Sequence, residues 1–375
     1  MSWRECTVVS ERKEFVLFAG LKDRSVSDLC RRFGVSRVTG YKWLLRDRVG
    51  EGLADRSRRP HSSPARTAEA TETLVCRLRQ EHPAWGGRKL HHYLRREGVQ
   101  PLPSPSTVNN ILRRHGLLDP ERREARDWQR FEAEAANRLW QMDFKGPIET
   151  QAGPCHALTV LDDYSRFNLC LGICPDQRRD TVQTQLTHAF ERYGLPDCLL
   201  CDNGPPWGSG YAGQPFTRLA AWLIRRGIAV SHGRPYHPQT QGKDERFHLT
   251  LSLELLKPPP VWHHPDELAT AARSWRELYN HRRPHEALGN EPPASRYSPS
   301  RRAYSPLLEP IEYPPADLKR IVQQDGHISF RGRQYLVGRA FASEPVALRA
   351  VGDGLWEVYY CFQRVSRIDL SSAKV

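Results

Sequence analysis

Four carboxylates stand where chemistry could use them. Asp143 falls inside the apolar run "LWQMDF", among Trp140, Met142 and Phe144. Asp202 ends a second apolar run, "CLLCD", and the Asn203-Gly204 turn behind it exposes the side chain. Asp244 and Glu245 open the helical stretch behind "GRPYHPQTQG" (233–242). Pro235 and Pro238 stiffen that segment, and Arg234, His237, Lys243, Arg246 and His248 surround the pair. An acid inside a strand of buried type is costly unless it is paired or holds a metal. Carboxylates with no Cys/His cage beside them suit a hard, oxygen-loving cation, Mg2+ or Mn2+. Two such ions shared by three carboxylates would activate the attacking oxygen and stabilise the leaving oxygen of a phosphodiester. Residue types alone leave this reading level with surface salt bridges. Periodicity does not choose between the paired acids either. Glu245 lies above Leu249, Ser252 and Leu256, and Asp244 lies above Phe247, Leu251 and Leu255.

Other signals are weaker. "GSGYAG" (208–213) matches a dinucleotide-binding pattern, but Pro205, Pro206 and Trp207 intervene after the strand and no suitable acid follows, so a flexible loop is expected. Asp162-Asp163 could offer metal ligands, yet a turn stabilised with Arg166 is the better expectation. Cys198 and Cys201 read as strand-core residues, because zinc would need a second pair and Cys170 with Cys174 is poorly spaced for one. "YNHRRPHEAL" (279–288) reads as a basic loop that contacts phosphate or closes a domain.

The elements that must position the acids follow from pattern. From Leu139 three strands, a helix over about 181–193, the strand "CLLCD", a helix near 216–226 and the strand "IAVS" predict an α/β sheet of mixed direction. Helices over 241–256 and 265–281 follow. Upstream, Val26, Leu29, Cys30 and Phe33 form a helical stripe, Gly34 suits a tight turn, and Ser36 can cap a second helix whose inner positions include Val38 and Leu44. That is a helix-turn-helix pattern, with Arg37, Thr39, Tyr41 and Lys42 on the exposed start of the second helix, where base edges are met. "RSRRPHSSPART" (56–67) is a basic linker. A second helical module follows over 68–118, with Arg88 and Lys89 as DNA contacts, Ser106 as a helix cap and Val108, Ile111 and Leu112 inside. "DPERREARDWQRFEAEAAN" (119–137) is a charged connector, and 292–315 is a proline-rich linker. From Leu318, strands punctuated by Asp325-Gly326, Arg331-Gly332 and Gly352-Asp353-Gly354 predict a small β-barrel.

Composition narrows the partners. The 375 residues can hold two to four domains, and no apolar run approaches the ~18 residues of a membrane span. The start, "MSWRECTVVSERKEF", has no apolar core of a secretory signal, and nine cysteines without repeating spacing suggest reduced thiols, hence a cytoplasmic, nucleoid-associated protein. The net charge is +13, and +10 of it sits in residues 1–140, which carry 28 basic and 18 acidic residues. Such asymmetry favours nucleic acid as partner and gives no reason to expect a membrane.

"LWQMDF", "LLCDNG" and "RPYHPQTQGKDERFH", in this order, resemble the catalytic core of insertion-sequence DDE transposases of the retroviral-integrase type. "YNHRRPHEALGNEPPASRY" resembles the segment that closes that core, and "LCRRFGVSRVTGYKWL" and "HPAWGGRKL" resemble the family's N-terminal DNA-binding modules. The resemblance implies a helix-turn-helix domain (1–60), a second helical DNA-binding domain (68–118), a ribonuclease-H-like core (137–298) and the small barrel (318–375). It implies Asp143, Asp202 and Glu245 as catalytic, metal-holding acids for Mg2+ or Mn2+, and Lys243 as a phosphate contact beside them. It implies cleavage at the inverted repeats that end a mobile element, joining to double-stranded target DNA, and a dimer or tetramer on that DNA. The alternative is a DNA-binding regulator or relic whose core no longer cuts. Two departures stand out. Residues 203–244, which lie between the second and third acids, are more than the family's familiar spacing, and Asp244 stands where the family usually has an apolar residue; with Glu245 as the third acid, Asp244 is expected to be a solvated or phosphate-distant neighbour paired with Arg246 or Lys243.

Overall fold

A computed structural model describes residues 7–21, 24–57, 67–118, 132–208, 215–232, 242–257 and 261–371. Two compact units divide the chain, Met1–Arg66 and Thr67–Val375.

The first unit holds α1 (Val8–Ala19), α2 (Val26–Arg32) and α3 (Arg37–Arg48). Phe15, Leu29 and Cys30 form its core, and Gly34 turns α2 into α3 at φ +65°. Ser36 caps α3 by accepting from Thr39 N at 3.1 Å. The rotation of α3 differs from the sequence expectation. Val38 is 81% exposed, and Gly40 and Trp43 face inward instead. A Cβ on Gly40 would lie 2.5 Å from Cys30 Sγ and 2.9 Å from Phe15, so only glycine lets the helices approach this closely. That contact fixes which face is buried and turns Val38 out.

The second unit begins with α4 (Glu69–Glu81), α5 (Gly87–Arg96) and α6 (Pro105–Arg114), closed around Val75, Trp85, Leu90, Val108, Ile111 and Leu112. Ser104 caps α6, two residues before the expected Ser106, because Pro105 at the first helical position already has helical φ. Its five-stranded sheet runs in the order β3-β2-β1-β4-β5, from β1 (Leu139–Ile148), β2 (Cys155–Asp162), β3 (Asn168–Cys174), β4 (Cys198–Cys201) and β5 (Ala229–His232). β1 pairs antiparallel with β2 and parallel with β4, and the mixed direction expected from the element order is present. The helices α7 (Arg179–Tyr193) and α8 (Arg218–Ile224) cover one face through Val182, Leu186, Phe190, Leu219 and Leu223. The other face is covered by α9 (Gly242–Leu251), extended by a π-helical turn over Ser252–Leu256, and by α10 (Pro265–His281). There Phe247, Leu251, Trp275 and Tyr279 pack on Ala157, Leu161 and Leu171. The ribonuclease-H-like reading therefore corresponds to a three-layer α/β core.

The tail forms a four-stranded antiparallel sheet, β11-β10-β9-β6, from β6 (Leu318–Ile321), β9 (Pro345–Gly352), β10 (Leu355–Tyr360) and β11 (Gln363–Asp369). A separate hairpin joins β7 (His327–Phe330) to β8 (Arg333–Leu336). Glycines at 326, 332 and 354, all at positive φ, make the turns as expected. The expected closed barrel does not form among the described residues. β7 and β8 pair with each other instead of bridging β6 to β11, and the sheet buries its inner face on the core. Phe341 lies 5.8 Å from Phe216 and 4.9 Å from Tyr360, ring centre to ring centre.

Candidate active site

The parity of β1 sorts its residues. Trp140 and Met142 are fully buried toward α7 and α8, so Gln141 and Asp143 point to the α9 side. The parallel register pairs Trp140 with Leu199 and Gln141 with Leu200. Continued by two residues, it sets Asp143 beside Asp202 on neighbouring strands, spaced about 4.8 Å apart in any sheet. Asp202 follows the last residue of β4, and its Oδ1 accepts from Gly204 N at 3.1 Å. A Cβ on Gly204 would stand 3.3 Å from Asp202 Oδ2, so the turn glycine leaves that carboxylate room.

Electrostatics tie the acids together. Asp143 is pushed up to about 6, first by burial and further by the charges of Asp202 and Glu245, against the lowering effect of Phe144 N–H and Lys145. Burial also raises Asp202, offset by Gly204 N–H and His232. A hard divalent cation relieves the crowding that raises Asp143 and Asp202, and the oxygen donors of Asp143, Asp202 and Glu245 fit such an ion. Among the described residues no three His, Cys, Asp or Glu side chains close into a ready-made metal cage.

α9 carries the paired acids on different faces. Glu245 is exposed. Asp244 is 1% exposed, and neither carboxylate oxygen has a hydrogen-bond partner among the described residues. The expectation of a solvated Asp244 paired with Arg246 or Lys243 is therefore corrected. Phe247 and Leu251, one and two turns on, are the face that α9 buries, and Asp244 shares it. Burial, then the charges of Asp143 and Asp163, raise its carboxyl well above the usual range. The braced loop over 233–241, with Arg234 and His237, lies outside the described residues, as does most of "GSGYAG".

Lys243 turns inward. Its ammonium pairs with Asp163 Oδ1 and donates to the Asp163 carbonyl at 3.3 Å. Asp163, fully buried, also accepts from Gln141 Nε2 at 2.6 Å and from Ala133 N at 2.7 Å. Asp162 accepts from Ser165 N, Ser165 Oγ and Asn137 N. The two aspartates therefore stabilise a turn, with Ser165 and the neighbouring chain as partners, while Arg166 pairs with Glu132 at 2.7 Å. Asp163 joins β1, β2 and the start of α9, a junction the sequence reading missed. Lys243→Gln is expected to cost up to about 3–5 kcal/mol by leaving a buried carboxylate short of its cation. Denaturant unfolding measures this; unchanged stability with weakened DNA binding would instead return Lys243 to the phosphate role.

The helical modules sort their cations as well. On α3, Arg37, Tyr41 and Lys42 are exposed, whereas Thr39 is half-buried and shares its hydroxyl with Ser36 at 2.9 Å. In the second module the "AWGG" stretch is a packing device. Trp85 is buried under a stacked His82, and a Cβ on Gly87 would sit 2.3 Å from Asn109. Arg88 is exposed and lies 3.9 Å from Glu286, while Lys89 is pushed down to about 8 by burial and then by Arg283. In "YNHRRPHEAL", Arg283 is buried with Glu254 at 2.9 Å and burial drives His285 down to about 3, so this segment closes the core.

Comparison with known proteins agrees with this architecture. Integrase core domain models match residues 133–238 and 226–293, an IS481 family transposase C-terminal domain model matches 317–375, and a homeodomain-like model matches 39–112. The chain is 28% identical to an IS476 insertion-element protein of Xanthomonas euvesicatoria, over 73% of this chain and 78% of that one. It is 22% identical to a putative IS5376 transposase of Geobacillus stearothermophilus, over 96% and 88%. A solved structure of the HTLV-2 integrase catalytic core in complex with magnesium is 14% identical, covers 44% of this chain and 100% of its own, and superposes at TM-score 0.35. Among the described residues no helix is long and apolar enough to cross a membrane. With integrase core models matching its middle, an IS481-type transposase C-terminal model behind them and insertion-sequence proteins as relatives, the chain is similar to bacterial insertion-sequence transposases with an integrase-type core.

Proposed function

We propose that this protein is an active transposase that binds the ends of a mobile DNA element, cleaves phosphodiester bonds there and joins the ends to target DNA. The observation that carries this reading is the β1–β4 register, which sets Asp143 beside Asp202 while α9 brings Glu245 close enough to raise the Asp143 carboxyl. Asp143, Asp202 and Glu245 would hold the divalent ion, Mg2+ or Mn2+. When bound, that ion supplies an activated water or hydroxyl nucleophile and neutralises charge on the leaving oxygen. The protein's own contribution is positioning. Register fixes two acids, the buried Lys243–Asp163 pair fixes the start of the helix carrying the third, and the exposed cations of α3 hold duplex DNA. Cutting at paired ends suits a dimer or tetramer on DNA.

The test uses the full-length chain and a duplex carrying the inverted repeat that flanks its own coding sequence. Metal-dependent nicking at the repeat boundary is expected. Tight, specific binding without nicking in either Mg2+ or Mn2+ would mark the chain as a regulator. Arg37→Ala is expected to weaken binding to that end by about 1–3 kcal/mol, with little change on random duplex. Equal losses on both, read by gel shift at fixed salt, would assign Arg37 to phosphate alone.

A further inference from the structure

His248 stands three residues beyond Glu245, one turn along the helix that lies on the sheet. It is 8% exposed, and its Nε2 is 2.9 Å from Thr159 Oγ1. Thr159 faces Asp143 across the β1–β2 ladder, and its hydroxyl donates to the Asp143 carbonyl oxygen at 3.0 Å. A hydroxyl has a single hydrogen, and a carbonyl oxygen can only accept. With that hydrogen given to Asp143, the second bond at Oγ1 must come from an N–H on Nε2 of the imidazole. The network thus assigns the tautomer and leaves Nδ1 as a bare lone pair.

Nδ1 lies 3.7 Å from Asp143 Oδ2. Two acceptors therefore face each other across a gap too long for a direct hydrogen bond. The gap is also shorter than two metal–ligand bonds of about 2.1 Å laid end to end. One cation can bond both atoms across that gap, with the two bonds meeting at roughly 120°. Thr159 completes the arrangement: a metal-bound imidazole needs its other nitrogen anchored, and Oγ1 anchors it.

We propose that His248 Nδ1 is a nitrogen ligand of the cation held at Asp143, and that it makes the site favour Co2+ over Mg2+. The inference rests on the metal-dependent reading above. Imidazole nitrogen follows the rising affinity from Mn2+ to Co2+, whereas Mg2+ keeps to oxygen donors and water. Asp143 and His248 come from β1 and α9, so the shared ion also ties the strand of the first acid to the helix of the third.

The test is direct metal binding by the full-length chain. Co2+ and Mg2+ affinities are measured by calorimetry, and the Mn2+-loaded protein is examined by pulsed electron paramagnetic resonance for nitrogen coupling. Wild type should show the coupling and a Co2+ preference. His248→Ala should lose the coupling and weaken Co2+ by roughly 10–100-fold, with a smaller change for Mg2+. Thr159→Val, which leaves the ligand but removes its anchor, should keep the coupling at reduced Co2+ affinity, so the proposal survives a His248→Ala chain that fails to fold. Unchanged coupling and Co2+ affinity in folded His248→Ala, with both lost in Asp143→Asn, would overturn the proposal and leave the metal reading intact. Wild type that binds none of the three ions, or Asp143→Asn that binds them like wild type, would remove the metal reading itself.

Discussion

Asp143→Asn and Asp202→Asn should each lower strand cleavage by on the order of 10³-fold, with binding to the element end nearly unchanged. The size follows from the several kcal/mol that an ion at the reacting phosphate supplies, at about 1.4 kcal/mol per tenfold in rate. The separation follows from geometry, because the acids sit on the sheet of the integrase core and the exposed cations Arg37 and Lys42 sit on α3. Stability provides a control. The folded Asp143 carboxyl is raised to about 6, above the ordinary aspartate value near 3.9. Without metal its contribution is therefore fully favourable below about pH 4 and is lost as the pH climbs through 6. Removing that titration should leave the metal-free Asn variant at least as stable as wild type at pH 7. Cleavage assays, gel shifts and thermal unfolding on one preparation decide the matter. Loss of binding together with cleavage in a folded variant would contradict the division of labour.

Glu245→Gln should stop cleavage in Mg2+ and in Mn2+ to a similar degree, whereas Asp244→Asn should keep cutting. The structure gives this contrast a physical basis that the motif alone lacks. Asp244 is buried on a different face of α9 from Glu245, with a raised carboxyl pKa and no hydrogen-bond partner among the described residues, so exchanging its carboxyl for an amide changes little at the reacting centre. Its raised folded pKa means that its stabilising contribution is present below the unfolded value near 3.9 and is lost as the pH rises through the folded one. Asp244→Leu should therefore gain about 1–3 kcal/mol at pH 7 over wild type, and the gain should shrink toward pH 4. Urea unfolding at the two pH values measures it. A dead Asp244→Asn beside a competent Glu245→Gln would move the third acid one residue earlier.

Much of the core was legible because strand parity and apolar runs report directly on burial. "LWQMDF" announced a strand with an acid inside it, and "CLLCD" announced a strand ending at one; which face of β1 Asp143 takes came from the burial of Trp140 and Met142. What was not legible depends on partners far away in the chain. Lys243 meets Asp163 across 80 residues, and His248 meets Thr159 across 89. Neither pairing leaves a local pattern. On α3 a twelve-residue polar helix offered two acceptable inner faces, and the deciding contact was the missing side chain of Gly40, which hydropathy does not score. The tail's hairpins were written in its glycines, but closure depends on which strands find each other, and β7 chose β8. At Asp244 the apolar stripe pointed inward; the motif's choice of Glu245 left Asp244 as a solvated neighbour, and packing won.

The outer strand of the core sheet ends in an unusual arrangement. The side-chain amide of Gln363, close to the end of the chain, donates to Val230 O at 3.0 Å and accepts from Val230 N at 3.1 Å, covering β5 as another strand would. Residues from Gln363 on therefore carry more than a detachable tail. A chain truncated before Gln363 would uncover the β5 edge of the core sheet. Exposed sheet edges recruit other chains and aggregate. Chains truncated there should accordingly be insoluble, which the soluble fraction on expression would report.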